Sequence, residues 1–187
     1  MSRPVADPGW RPVVRLLPKM FVPFIGMRAM ATQSSALISL RMLALYFAVA
    51  IVPVWAVVVI VVPQLEPGPS TGSAVAIALG GGVATLGVGA YLDTRISFAS
   101  ATEFAQSYPR MAMFQLGLAG LAGLIGFVMT ILSASFWPYA VAFAFMVAGW
   151  LRAAPTAGRL ARVQGASDEA GSSIDVVRVL VENQLFR

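Results

Sequence analysis

Long apolar runs alternate along this chain with short polar stretches that carry the arginines. A helix that crosses a hydrocarbon core about 30 Å thick needs about 20 apolar residues in succession. Four runs meet or approach that length: 42–63, 73–92, 111–132 and the shorter 136–151. No charged residue stands inside any of them. The first contains Pro53, which removes one backbone hydrogen bond and predicts a kink. The fourth reaches spanning length if Arg152 snorkels and the helix runs on through Ala153 and Ala154. The pattern therefore predicts an all-α integral membrane protein with four transmembrane helices in two hairpins.

The polar stretches divide the rest. Residues 1–41 read as a basic cytoplasmic arm, proline-broken up to residue 19, followed by an interfacial segment. Because Pro23 and Gly26 interrupt any span, Phe21, Val22, Phe24 and Ile25 would either lie in the acyl boundary or pack against the protein's own helices or a partner. Residues 93–110 predict a cytoplasmic helical extension of the second span, stopped by Tyr108–Pro109. The tail, 152–187, reads as a soft linker at 163–171 and then a short amphipathic helix over 172–186. Ser172 and Asp175 supply a capping pattern for that helix. Ile174, Val177, Leu180, Val181 and Leu185 follow at spacings of three and four. Arg41–Met42 and Arg110–Met111 each precede a predicted hairpin, a pattern that fits either a parallel duplication or coincidence.

Composition sharpens the class. The chain has 187 residues, 58% hydrophobic and 11% charged, with a mean hydropathy of +0.80. Soluble domains carry about a quarter charged residues, so a soluble enzyme and a disordered chain are both excluded. All 13 basic residues are arginine save Lys19, and they lie before the first run, between the second and third, and after the fourth. The connections 64–72 and 133–135 hold none. The positive-inside rule then puts both termini in the cytoplasm, N-in and C-in. Trp137 and Tyr139 would mark the outer boundary of the fourth span, and Tyr91 and Trp150 inner boundaries. The first apolar run begins too late and is too long for a cleaved signal peptide. Net charge is +5 and the pI about 10.4. Because the arginines are spread over juxtamembrane segments, membrane lipids and not nucleic acid are the expected partner. Arg11, Arg15, Lys19 and Arg28 are the expected anionic-lipid contacts. An arginine-dominated basic set with abundant Ala, Gly and Val suggests a GC-rich bacterial genome, hence a bacterial cytoplasmic (inner) membrane.

Candidate chemistry is sparse. With no cysteine and no histidine, disulfide scaffolds are excluded and neither metal nor cofactor is expected. Within the runs the polar groups are Tyr46, Trp55, Thr85, Gln115 and Thr130; none is ionised at neutral pH, which disfavours proton relay or ion coupling by an isolated copy. No catalytic residue is assigned. The strongest local pattern is small residues at helix-packing spacing: Ala76, Gly80 and Ala84 in the second run, and Gly117, Gly120, Gly123 and Gly126 in the third. These faces would pack on each other within one monomer, or against a separate membrane subunit or a second copy. The expected function is a non-catalytic accessory or scaffold subunit of a bacterial membrane complex. The alternatives are a small oligomeric transporter or channel lined by Thr85, Gln115 and Thr130, and a lipid-handling membrane enzyme using Asp93 and Glu103.

Overall fold

The structure is a computed structural model that describes residues 6–20, 28, 33, 35–66, 68 and 70–183, with the backbone alone at 19 and 20. Helices α1 (Arg11–Val14) and α2 (Leu17–Met20) are single turns. The long helices follow: α3 (Ala36–Val61), extended by a 3-10 turn at Val62–Gln64, then α4 (Thr71–Asp93), α5 (Ala101–Ser133) and α6 (Trp137–Ala153). Helices α7 (Ala157–Glu169) and α8 (Val176–Glu182) complete the chain. The described residues include no strand. Helices α3, α4 and α5 are each long and apolar enough to cross a membrane, and α6 qualifies together with α7 across the bend at 154–156. The expected interfacial residues Phe21, Val22, Phe24 and Ile25, and Leu185 of the tail stripe, lie outside the described residues.

Several boundaries differ from the sequence expectation, each for a local reason. Helix α3 begins at Ala36, so Arg41 stands inside it and not ahead of it. The helical extension belongs to the third span: α4 ends at Asp93, while α5 starts at Ala101 and runs through Pro109. Ser100 Oγ accepts the Glu103 backbone N–H at 3.1 Å, an S-x-x-E cap that sets this start. Pro109 then forfeits one helical bond, a loss that surrounding protein can compensate. The stretch 163–171 is no linker; it falls largely within α7, whose first turn is capped by Thr156 accepting from Arg159 N. One glycine in mid-helix costs only about 1 kcal/mol, so Gly165 does not break α7. The left-handed Gly171, at φ 71°, follows its end. Helix α8 is capped by Asp175, which accepts from Arg178 N, and not by Ser172.

The chain forms two compact units, one from 1–46, 95–113 and 154–187, the other from 47–94 and 114–153. In the first, Leu37, Leu40, Phe104, Tyr108, Leu160 and Leu180 are among the residues of one buried core. Phe98, Phe104 and Tyr108 stack in sequence, with ring centroids 5.8 and 5.4 Å apart. Gln164 clips α8 to α7: its amide donates to the Ile174 carbonyl at 3.0 Å and accepts from Val176 N at 2.9 Å. The Asn183 carbonyl, just past α8, accepts from Ala36 N at 2.7 Å, which joins the start of α3 to the tail.

In the second unit α5 and α6 form a tight hairpin through Ala134, whose φ of 48° is left-handed. Thr130 Oγ1 accepts the Tyr139 N–H at 2.8 Å and so satisfies one of the free donors at the α6 start. The edge of Tyr139 packs on Trp55, ring centroids 5.1 Å apart. Of the two residues expected at the outer boundary, Tyr139 is buried and Trp137 is 68% exposed. Close approach of α5 and α6 depends on Gly126: a Cβ there would collide with the Ala142 methyl and fall 3.0 Å from the Pro138 carbonyl. Gly126→Ala is expected to lower stability by about 1–3 kcal/mol, because backbone cannot swing aside as a side chain can. Gly80→Ala, where nothing lies within 4 Å, is expected not to lower it and to raise it by up to about 1 kcal/mol through helix propensity. Thermal denaturation of the two variants in detergent checks the contrast.

Candidate functional site

Two polar centres hold the described helices together. The first is built on Arg41, whose side chain is fully buried. Its guanidinium grips the Asp7 carboxylate with both terminal nitrogens, Nη1 to Oδ1 at 2.6 Å and Nη2 to Oδ2 at 2.8 Å. Nη1 also donates to the Gly9 carbonyl at 2.8 Å, and Nε to the Pro155 carbonyl at 3.0 Å. The Trp10 ring lies 5.4 Å from the guanidinium carbon. Gly9, at φ 68°, turns the arm back so that its own N–H reaches Asp7 Oδ1 at 2.8 Å. The charge-assisted bond from Arg41 holds the Asp7 carboxyl below its ordinary value of 3.8, with burial opposing and the Gly9 N–H adding to the effect. Arg41 was expected to be a juxtamembrane cation; it is instead a structural one, because the arm brings it a counter-charge. Arg110, its counterpart in the suggested duplication, is exposed, so the two occupy different environments.

The second centre ties α4, α5 and α6 together within the other unit. Gln115 Nε2 donates to the Gly89 carbonyl and to Asp93 Oδ1, both at 2.7 Å. Arg152 holds Asp93 Oδ2 through Nη2 at 2.6 Å and Nε at 3.0 Å. Gly89, whose carbonyl takes the Gln115 amide, is buried. Thr85, also buried, donates to the Gly82 carbonyl of its own helix at 2.9 Å.

No family model, curated protein or solved structure matches this chain. Of the expected packing residues, Gly123 and Gly126 are buried against α6, where Met146 and Ala142 face them, and Gly120 meets Phe47. Gly117 is exposed with nothing within 4 Å. On α4, Ala76, Gly80 and Ala84 are exposed and so not packed within the described chain, while Ala74, Ala78, Gly82, Thr85 and Gly89 are buried. The neighbour in register is Phe145, into which a Cβ at Gly82 would run. Among the expected lipid contacts, Arg11, Arg15 and Arg28 are exposed, and the Lys19 side chain lies outside the described residues. The pore-lining set Thr85, Gln115 and Thr130 is buried inside the single chain. Asp93 is bound as above and Glu103 accepts from Ser97 Oγ at 2.6 Å. Sequence reading missed the Arg41–Asp7 pair, since nothing local links residues 34 apart.

Asp7→Ala in uncharged detergent is expected to cost about 3 kcal/mol, the low end for losing one partner of a buried pair, because Asp7 keeps 26% of its side-chain exposure. With its folded value lowered, Asp7 contributes stability fully above 3.8 and loses it as pH falls below that value. The denaturation difference between the variant and the parent should accordingly shrink on acidification below 3.8. Gln115→Leu, which strips Gly89 and Asp93 of a donor, is expected to cost about 1 kcal/mol in the same measurement.

Proposed function

We propose that this protein is a non-catalytic scaffold subunit of a bacterial cytoplasmic-membrane complex. On this reading the chain crosses the bilayer four times with both termini inside, and it assembles with further membrane helices through the outward face of α4. The observation that carries the reading is that Ala76, Gly80 and Ala84 are exposed, and that nothing approaches Gly80 or Gly87 within 4 Å. Lipid tails provide no hydrophobic drive for helix association, so small residues act by letting backbones come close. Among the described residues nothing covers the face Ala76–Gly80–Ala84, and bulky Ile77, Leu79 and Val83 beside it are exposed as well. Gln115, Asp93, Arg152 and Thr130, by contrast, are engaged in holding the long helices to one another. The arginine distribution supports the orientation, and Arg41 leaves that set without altering it.

The transporter alternative loses its support, because its lining residues are buried within one chain. The chain has no cysteine, so one introduced at Gly80 reports only on itself. Gly80→Cys in native membranes is expected to crosslink to a second copy or to a partner subunit. Gly80→Leu is expected to abolish copurification and crosslinking while leaving helicity and the thermal midpoint unchanged. Assembly of Gly80→Leu at the parent level would overturn the reading.

A further inference from the structure

The Arg41 centre has an unusual division of labour. Three of its four acceptors, both Asp7 oxygens and the Gly9 carbonyl, come from the N-terminal arm, and only the Pro155 carbonyl comes from elsewhere. Among the described residues the arm is also held by Trp10, stacked over Arg41, and by Val13, which is buried in a cluster with Met42. Arg41 is also the last charge ahead of an apolar run, with no charged residue between it and Glu66. In an inserted helix that position falls at the level of lipid headgroups, where a guanidinium ordinarily meets phosphate. The two-pronged carboxylate grip has the geometry a phosphate oxyanion would take.

We propose that Arg41 is a binding site for the phosphate of an anionic lipid, and that Asp7 is its internal ligand, so that lipid binding releases the N-terminal arm. A dissolved anion is the weaker competitor. It would enter by the cavity of about 580 Å³ that Asp7 lines, where it meets Asp168 and Asp175. The exposed Arg11 and Arg15 add attraction between the arm and an anionic surface.

The test uses the full chain carrying spin labels at Ala6→Cys and Ala161→Cys, both exposed positions and free of competing cysteines. Pulsed electron spin resonance reads the distance between them. In phosphatidylcholine vesicles the distance is expected to be short and narrow; in phosphatidylglycerol vesicles the short population is lost. Inorganic phosphate added to detergent-solubilised protein should leave it short, and release there would overturn the lipid assignment. An unchanged distance in phosphatidylglycerol overturns the proposal outright. Arg11→Gln with Arg15→Gln should retain the response; its loss would assign the effect to those arginines and overturn the role of Arg41. Asp7→Asn should release the arm even in phosphatidylcholine, and a short distance there would also count against the proposal. The parent measurement stands on its own if that variant does not fold.

Discussion

A guanidinium sealed from water must be given acceptors by the protein itself, and around Arg41 that demand organises one whole unit. The cation sits two turns into α3, where the helix has begun but its apolar stretch has not. Asp7, Gly9 and Pro155 supply the acceptors, so the arm, the helix and the bend after α6 converge on one group. Without the carboxylate the same position would hold an uncompensated buried charge, which is far less favourable than an apolar residue of similar size. The Leu37–Leu40–Phe104–Leu160 core then closes beside an electrostatic centre that is already neutral.

The same prohibition acts differently in the other unit. Gln115, Asp93 and Arg152 answer one another across three helices, and Thr130 completes the first turn of α6. With polar groups thus satisfied, the remaining attraction between helices is dispersion, which rewards close approach. Gly82, Gly123 and Gly126 permit that approach; Phe145, Met146 and Ala142 occupy the space. Among the glycines of the long helices, Gly80, Gly87 and Gly117 have nothing within 4 Å, and on the proposed reading the α4 pair is what a neighbouring helix would meet. The proposed assembly would thus draw on the same chemical device as the internal packing, on the opposite face of α4.

Legibility followed the physics of each signal. Helix length is written in the uninterrupted apolar runs, so α3, α4 and α5 were expected close to where they occur. Direction around α4 was not, because small residues recur at 74, 78 and 82 and again at 76, 80 and 84. A helix apolar on every side has no polar face to orient it. The start of α5 was encoded in Ser100 and Glu103, a cap signal overshadowed by the proline downstream. The α7 helix was hidden by its polarity and Gly165, since its stability comes from burying Leu160 and Val163 and not from propensity.

Local order along the chain was thus sufficient to determine an all-helical protein with several membrane-length helices, the residues available to cap them and the lack of ionised groups inside the apolar runs. Only the tertiary structure decided which small-residue face turns inward, that Asp93 belongs to Gln115 and Arg152, and that Arg41 is buried with Asp7. The reason is that run length and capping act within a few residues, whereas facing and charge pairing are set by partners brought together from distant parts of the chain.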